Sequence, residues 1–483
     1  MYLKKLHISN FRCFRNFTIE FAPSVTVLFG KNGSGKSTLI HAIHKALSFL
    51  MYSEEVKEKT SKEKKAKVID VKTFRLNNPY PTVEGFSFYD CEHEGAKPYD
   101  YEININAQAE FEGCFPLEWN MTGVAPRMSL KKSGYRSQFL ELYEWMKNSA
   151  PSPSLPLLAY YSDGFPHNTI LNKSKSSEKT KRDLHLKYDY PELGYTDWNS
   201  DKGFTNVWLE RLINKLRRLD SIPRENEVYK VSFEAGKIEK EVYDNYLIKS
   251  EKELSDCKNE VDKITKCLQK FSEGDEKLEV ISLSLDVHDI TKVCIVDSQM
   301  KRHAFSILPA GYKRMFYIAL DIAYRSYLLS QRQSTNIPGV AIIDEIDLHL
   351  HPELEQTVLQ RFMRTFTNVQ FIVSTHSPLV LTGIETKHQK NIVLKLNPLY
   401  NTPEEWPNIH GIDYNQMLEE NMGVSKRKPE IELLFKKIWN EVAKKDIEAA
   451  KKTMKVLESV TPKDQKELIQ LRALISRLEI IGK

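Results

Sequence analysis

The chain has 483 residues, which exceeds one ordinary globular domain and predicts about three domains, or two with a large insertion. Hydrophobic residues make up 41% of the chain and charged residues 28%, a globular composition that excludes a disordered, collagen-like or disulfide-scaffolded protein. The formal net charge of +5 is too small by itself to indicate a nucleic-acid-binding protein.

Cysteine spacing and hydropathy predict the cellular location. The six cysteines show no CxxC or CxxH spacing, so we expect reduced thiols in a cytoplasmic protein. The N-terminal segment has basic residues but no continuous apolar run, and no later stretch is long and uncharged enough to span a membrane. We therefore expect a protein that is neither exported nor membrane-bound.

The first 160 residues predict strands and one helix. Apolar alternation predicts strands over residues 2–11 and 17–21, a buried run predicts a third over 25–29, and a helix follows from 37 to about 50. The charged run 54–67 predicts a solvated loop or a frayed helix end. Alternation between 68 and 119, as at Tyr101, Ile103 and Ile105, predicts appended antiparallel strands. Residues 155–161 predict another central strand.

The next segment predicts long helices. Leu247, Leu254, Val261 and Leu268 recur every seven residues, which is the spacing of a coiled-coil seam. A helix from about 238 to 271 would be roughly 50 Å long at 1.5 Å per residue and would form part of a protruding hairpin. An amphipathic helix packed on the core explains the same spacing, and Ser250 interrupts the short seam. The pattern leaves both structures open.

Strands and helices alternate in the C-terminal half. Strands are predicted over 278–285, 292–296, 304–308, 340–343 and 370–373, with helices over 310–329 and 352–366, and this alternation implies a parallel sheet. Three apolar helical faces then predict a small helical domain. They are formed by Ile431, Leu434, Ile438 and Val442, by Ile447, Ala450, Met454 and Leu457, and by Leu468, Leu471, Ile475 and Leu478.

A phosphate-binding loop is predicted between the third strand and the first helix. Residues 30–38 read GKNGSGKST and satisfy the pattern GxxxxGK[ST]. Its glycines let backbone N–H groups converge on the β-phosphate, and the helix N-terminus adds a positive dipole. Lys36 is expected to reach the β- and γ-phosphates, and the Ser37 hydroxyl is expected to bind Mg²⁺. The other predicted nucleotide-binding residues of the loop are Asn32, Gly33, Gly35 and Thr38.

Two carboxylates follow the buried strand of residues 340–343. Asp344, at the strand tip, is expected to hold Mg²⁺ through water, and Glu345 is expected to polarise the attacking water as a general base. A neighbouring strand runs into the sequence STHSP. Its His376 is expected to sense the γ-phosphate, and the alternative is a purely structural histidine.

The order of these motifs resembles the ABC/SMC-like class of ATPases, in the branch that includes RecF and the OLD-family ATPase domains. In that class an LxIxNFRxF segment, here LHISNFRCF at residues 6–14, precedes the phosphate-binding loop. The resemblance implies that Arg12 lies beside the nucleotide. It also implies a C-terminal lobe with a signature segment, Walker B strand, D-loop and H-loop.

The signature segment departs from this class. LSGGQ-like signatures contact the γ-phosphate across a dimer, but residues 308–314 read LPAGYKR. Pro309 removes a hydroxyl and an N–H donor, whereas Gly311 and the helix N-terminus remain. The resemblance implies that Pro309 and Gly311 border the nucleotide of a second copy, with Lys313 or Arg314 as a source of charge. It therefore implies a homodimer or a larger homo-oligomer.

Within this class, LPAGYKRMFYIALDIAYR, AIIDEIDLHLHP, STHSP and the helical tail are similar to PtuA-type ATPases of Septu and retron-associated anti-phage defence. The resemblance implies an ATPase that uses ATP and Mg²⁺ and controls a separate PtuB-like HNH nuclease. DNA, or a retron reverse transcriptase with its nucleic acid, is a further candidate partner. A RecF-like DNA-repair clamp is the alternative function. A toprim-like acidic cluster and an HNH-like histidine pattern are not evident, so we expect no nuclease activity in this chain.

The expected fold class is α/β, with an ABC/SMC-like P-loop ATPase core, appended antiparallel strands, an inserted helical arm and a C-terminal helical domain. The expected domains are an N-terminal ATPase lobe (1–203), a helical hairpin arm (204–275), a C-terminal ATPase lobe (276–400) and a helical domain (401–483).

Overall fold

The computed structural model describes residues 1–47, 56–60, 67–71, 102–110, 116–124, 129–131, 155–165, 191–196, 198, 205–386, 390–397, 399–406, 409–413, 416–417, 427–462 and 465–481. The chain divides into two compact units, residues 1–410 and 411–483, and the boundaries of the four predicted domains stay predictions. Tyr101, Cys91 and Cys114 lie outside the described residues. Among the described residues, no helix is both long enough and apolar enough to cross a bilayer.

The first unit contains both strands and helices. Its strands are β1 (Tyr2–Phe11), β2 (Phe14–Glu20), β3 (Val25–Phe29), β4 (Val56–Thr60), β5 (Lys67–Val71), β6 (Glu102–Glu110), β7 (Pro116–Val124), β8 (Ser129–Lys131), β9 (Leu157–Tyr161), β10 (Val280–Leu285), β11 (Val293–Asp297), β12 (Arg302–Ala304), β13 (Gly339–Ile343), β14 (Val369–Ser374), β15 (Asn391–Lys395) and β16 (Glu404–Glu405). Its helices are α1 (Lys36–Leu47), α2 (Thr205–Glu234), α3 (Lys240–Ser272), α4 (Ala310–Leu329), α5 (Pro352–Thr365) and α6 (Pro378–Thr382).

The central sheet has the strand order β16-β15-β3-β14-β13-β9. All of its strands except β16 run parallel, and Val373 of β14 lies between Val27 of β3 and Ile343 of β13. Strands β3, β9, β13 and β14 are buried along their whole length, as expected for parallel strands covered on both faces. Because parallel strands end at the same edge, the segments that follow these strands lie together.

An antiparallel sheet of order β2-β1-β6-β7-β8 covers α1. Its alternating apolar residues face inward, and the Trp119 indole N–H donates to the carbonyl oxygen of Ala46 in α1 at 2.9 Å. The buried Gln370 side chain joins this sheet to the central one. Its amide oxygen accepts from the Leu3 N–H at 2.7 Å, and its amide nitrogen donates to the Leu3 carbonyl at 2.9 Å.

Helices α2 and α3 form an antiparallel hairpin. Near its tip, the rings of Tyr229 and Tyr246 stack with centroids 3.6 Å apart. At its base, Phe271 of α3 packs on Phe316 of α4 and on Phe362 of α5, with ring centroids 5.6 and 4.9 Å apart. Both structures that the heptad pattern left open are therefore present, because α3 pairs with α2 and its C-terminal half also packs on the core.

The second unit is helical and contains α7 (Pro429–Ala443), α8 (Ile447–Val460) and α9 (Lys466–Ile481). The predicted apolar faces meet in one core, whose buried residues are Phe435, Ile438, Val442, Ala450, Met454, Leu457, Leu468, Leu471 and Ile475. The predicted α/β P-loop core, appended antiparallel strands, inserted helical arm and C-terminal helical domain are thus confirmed.

Two local predictions were wrong, and one strand was missed. Within the charged run 54–67, predicted as a loop or helix end, the described residues 56–60 form β4, which pairs with β5 as an antiparallel strand. The rest of the run up to residue 66 lies outside the described residues. Residues 304–308 are not a strand, since β12 ends at Ala304 and a 3₁₀ turn follows over Phe305–Ile307. Strand β15 was not predicted. Short apolar or charged runs carry too little periodicity to decide these cases, and strand pairing decides them instead.

A buried carboxylate links α4 to the strand β9 and to the arm. Asp321, on α4, accepts hydrogen bonds from the Tyr161 hydroxyl at 2.7 Å and from the Trp208 indole N–H at 2.7 Å. The Arg325 Nε donates to the same carboxylate at 2.6 Å, and both charged side chains are 2% exposed. These contacts connect three separate segments of the chain through one acidic group.

We expect Asp321→Ala to lower the free energy of unfolding by about 3–5 kcal/mol, because it leaves the Arg325 guanidinium buried without its carboxylate. Urea unfolding followed by circular dichroism measures this change. Asp220→Ala is the control. It breaks an exposed ion pair with Arg224, so its expected loss is below about 1 kcal/mol. Equal losses in the two variants would contradict the structural role of Asp321.

Candidate functional site

The phosphate-binding loop joins β3 to α1 at the carboxyl edge of the central sheet. Gly33 and Gly35 have backbone φ angles of 80° and 92°, a region that glycine adopts without steric cost. A Cβ atom on Gly33 would meet no atom within 4 Å, whereas one on Gly35 would lie 2.7 Å from Cζ of Phe14. The loop is therefore open at Gly33 and closely packed at Gly35.

The Lys36 side chain lies inside this loop. Its Nζ donates to the carbonyl oxygens of Gly30 at 2.8 Å and Lys31 at 3.1 Å. Burial lowers the pKa of Lys36, and the carboxylate of Asp344 is the strongest of the charges that oppose this shift. The ammonium group is thus within the electrostatic influence of the carboxylates that follow β13.

The remaining loop residues differ in exposure. Asn32 and Ser37 are exposed, so their side chains are accessible to a ligand. Thr38 is half-buried, and its hydroxyl forms a hydrogen bond with the Cys13 thiol. Of these three side chains, Thr38 already has a protein partner.

The turn between β1 and β2 packs against the phosphate-binding loop. Arg12 and Cys13 form this turn, with Phe11 paired to Phe14 and a φ of 51° at Arg12. A Cβ atom on Gly35 would lie 3.1 Å from the Cys13 sulfur. The structure thereby places the turn that contains Arg12 next to the loop, and the predicted position of Arg12 beside the nucleotide stays a prediction.

Asp344 and Glu345 follow β13, and a serine from the neighbouring strand contacts both. The Ser374 hydroxyl donates to the Asp344 carboxylate and accepts a hydrogen bond from the Glu345 N–H at 2.8 Å. The Asp344 N–H donates to the carbonyl oxygen of Tyr161 at 2.8 Å. Contacts from the strands on either side of β13 therefore fix the start of this acidic segment.

The Glu345 carboxyl group is suited to accept a proton. Burial raises its pKa above the usual range, and the adjacent charge of Asp344 adds to this shift. A raised pKa makes a carboxylate a better general base near neutral pH. Glu345 also has a φ of 48°, a strained conformation for a residue with a side chain.

Asp347 lies in the turn of residues 346–351, the predicted D-loop, and holds the segment that contains His376. One carboxylate oxygen of Asp347 accepts hydrogen bonds from the Thr375 hydroxyl at 2.5 Å and from the His376 N–H at 3.3 Å. The influence of His376 on Glu345 is electrostatic and lowers the glutamate pKa. The predicted histidine is therefore at the same edge as the two carboxylates.

The signature segment begins α4. Pro309 is the exposed N-cap residue, and Gly311 is buried against the D-loop, where a Cβ atom would lie 2.6 Å from the His349 carbonyl oxygen. Arg314 is 1% exposed and donates to main-chain carbonyl groups. Of the two residues predicted to offer charge to the nucleotide of a second copy, Arg314 is ruled out because its guanidinium is buried, and Lys313 stays a prediction. Nucleotide contacts of Pro309 and Gly311 stay predictions.

Ser374 and Asp163 were not predicted as part of the site, and Arg314 was predicted with a different role. Ser374 contacts the Asp344 carboxylate and the Glu345 N–H, and Arg314 contacts the carbonyl groups of both residues. Asp163 follows β9, where its charge contributes to the raised pKa of Glu345. A carboxylate shortly after a buried run is the signal that identified Asp344. The same signal was present at Asp163, after residues 155–161.

These residues fit a nucleoside triphosphate with Mg²⁺. The open backbone at Gly33 leaves room for phosphate oxygens, and the Lys36 ammonium lies within the same loop. Hydroxyl and carboxylate oxygens are the ligands that Mg²⁺ takes in proteins, and the exposed Ser37 and the site-facing Asp344 supply them. The individual contacts stay predictions.

Comparison with known proteins gives similarity along most of the chain. Retron Vc95 probable ATPase from Vibrio cholerae serotype O1 biovar El Tor is 29% identical over 412 residues, covering 77% of this chain and 70% of that protein. Retron Ec83 probable ATPase from Escherichia coli is 25% identical over 465 residues, covering 88% of this chain and 77% of that protein. Septu protein PtuA from Bacillus mycoides (strain KBAB4) is 35% identical over 77 residues, or 16% and 11% of the two chains.

The similarity to retron-associated and PtuA-type ATPases that the sequence predicted is confirmed by these matches. The AAA ATPase domain family matches residues 1–381 of the 483-residue chain. This match includes the phosphate-binding loop, the carboxylates after β13 and the histidine after β14. The chain therefore belongs to the AAA ATPase domain family.

Proposed function

We propose that this protein binds and hydrolyses ATP as the regulatory subunit of an anti-phage defence complex, where it controls a separate HNH nuclease. The observation that carries the ATPase part is the meeting of Lys36, Asp344, Glu345 and His376 at one edge of a parallel sheet. The similarity to retron ATPases over most of the chain supports the defence role.

In the proposed reaction, each residue acts on the phosphate end of ATP. Lys36 binds the β- and γ-phosphates, and Glu345 orients a water molecule and accepts its proton. His376 contacts the γ-phosphate, and Arg12 lies beside the nucleotide. Mg²⁺, held by Ser37 and Asp344, would neutralise charge on the β- and γ-phosphate oxygens.

We further propose that a second copy completes the site through the start of α4. Pro309 and Ala310 are exposed there, and the preceding Ile307 is 75% exposed. An exposed apolar side chain suits a surface that another copy covers. A helix N-terminus suits a surface that faces a phosphate group. Gly311 packs against the D-loop of its own subunit, so this surface is in contact with the segment that follows the carboxylates Asp344 and Glu345.

The C-terminal helices are the proposed docking site for the nuclease. Their buried residues form one core, yet Leu433 is 66% exposed and Trp439 is 43% exposed on α7. Exposed aromatic and aliphatic side chains are typical anchors of protein interfaces. A nuclease that covers this helix would be held by a surface that the helical core does not use.

The phosphate-binding loop is tested by Lys36→Ala. We expect this change to abolish ATP binding measured by titration calorimetry, because it removes the cation inside the loop. Lys31→Ala removes an exposed cation from the same loop and is the control, with binding expected to stay within about threefold. ATP binding by Lys36→Ala that equals that of the wild type would disprove the assignment.

The composite site is tested with Glu345→Gln. We expect this variant to bind ATP, to hydrolyse it on the order of 100-fold more slowly because the general base is lost, and to accumulate as an ATP-dependent dimer in light scattering. Adding Ala310→Arg should prevent the dimer while leaving ATP binding intact, since it places a long cation on the exposed helix start.

Ala235→Arg, at the exposed tip of the arm, is the control for that added cation and should leave the dimer unchanged. Ala310→Arg is preferred to Gly311→Arg, because a side chain at Gly311 would collide with the D-loop backbone of its own subunit. A dimer that forms equally well with Ala310→Arg would contradict the composite site.

The partner is tested by changing the exposed face of α7. We expect the double variant Leu433→Ser with Trp439→Ser to retain ATPase activity and to lose co-purification with a co-expressed PtuB-like HNH nuclease, as should deletion of the residues after Arg427. An unchanged complex, or metal-dependent DNA cleavage by the purified chain, would refute the proposal.

Salt-dependent binding of plain duplex DNA without a nuclease would favour the RecF-like clamp.

A further inference from the structure

Arg314 is a buried cation whose hydrogen bonds all go to the main chain. It lies near the N-terminus of α4 and is 1% exposed. Its Nη1 donates to the carbonyl oxygens of Phe165 at 2.5 Å and Asp163 at 3.2 Å, and its Nη2 donates to those of Asp344 at 2.7 Å and Glu345 at 3.4 Å. One guanidinium therefore joins α4 to the segments that follow β9 and β13.

The two contacts of Nη2 fix the backbone of Glu345 from both sides. The Asp344 carbonyl belongs to the peptide group before the Glu345 Cα, and the Glu345 carbonyl belongs to the one after it. Holding both peptide groups restrains φ and ψ of Glu345, whose φ is 48°. A residue with a side chain stays in this region only when its surroundings hold it there.

The other hydrogen bonds of Glu345 lie within the sheet and within its own segment, where the Leu348 N–H also donates to the Glu345 carbonyl at 3.0 Å. Ser374 accepts a hydrogen bond from the Glu345 N–H, and the Ile346 N–H donates to the Ser374 carbonyl at 3.0 Å. These bonds tie the acidic segment to β14, within the sheet. Arg314 ties the same segment to α4, the helix whose exposed start is the proposed surface for a second copy.

We infer that Arg314 is a positioning residue, which holds Glu345 in its strained conformation and makes that conformation depend on the position of α4. The inference rests on the proposed ATPase function. A movement of the α4 N-terminus displaces the guanidinium, and the peptide groups around Glu345 lose their restraint. The carboxylate then no longer meets the attacking water in the required geometry, although the phosphate-binding loop is unchanged.

The test compares two buried arginines on the same helix. Arg314→Lys keeps a positive charge but cannot donate to the two pairs of carbonyl groups at once. We expect it to lower kcat on the order of 100-fold, the effect of a small misplacement of a reacting group, with the ATP Kd within about threefold of the wild-type value. Arg325→Lys is the matched control. It disturbs contacts with Asp321 and with the Gly194 and Thr196 carbonyls, and should lower the Tm with less than about a threefold change in kcat.

A second measurement separates positioning from general loss of structure. In the double variant Arg314→Lys with Glu345→Gln, the lysine substitution should lower the residual rate by less than about twofold, because residues that act through one another give non-additive effects. Full additivity, or an unchanged kcat in Arg314→Lys, would overturn the inference. Either result leaves the ATPase proposal standing, since that proposal fails only if Lys36→Ala still binds ATP.

Discussion

Parallel pairing of β3, β14 and β13 is the constraint on which the site depends. Each strand is buried and ends at the same edge, so the phosphate-binding loop, the His376 segment and the Asp344–Glu345 pair meet without any long-range loop. A one-residue slip of register would turn the buried faces of these strands and separate the groups. The candidate site therefore forms only when these strands pair in this register.

Buried polar side chains hold the surrounding elements to this edge. Gln370 joins the antiparallel sheet to β14, and Asp321 joins α4 to β9 and the arm. Ser374 joins the Asp344 carboxylate and the Glu345 N–H to the neighbouring strand. A buried polar group is stabilising only when its hydrogen-bond partners are in place. Such contacts favour one arrangement of helix and sheet, which apolar packing alone specifies less strictly.

The parts of the site that could be predicted from sequence are those encoded by neighbouring residues. A glycine-rich loop between a strand and a helix, and a carboxylate pair after a buried strand, have fixed local spacing. The role of Arg314 could not be predicted, because whether its side chain faces solvent or the acidic segment depends on how α4 packs on β13. Strand β15 was missed for a related reason, because its apolar run is too short to predict a strand and its pairing with β3 is not encoded by neighbouring residues.

The central claim is that one sheet edge binds ATP and that the start of α4 from a second copy completes the site. A crystal structure of the Glu345→Gln protein with ATP and Mg²⁺ tests it most directly. The account predicts phosphate oxygens on Lys36 of one copy, with the exposed N-terminus of α4 from the other copy facing the γ-phosphate. ATP bound by a single copy, with Ala310 of every copy remote from any phosphate, would contradict it.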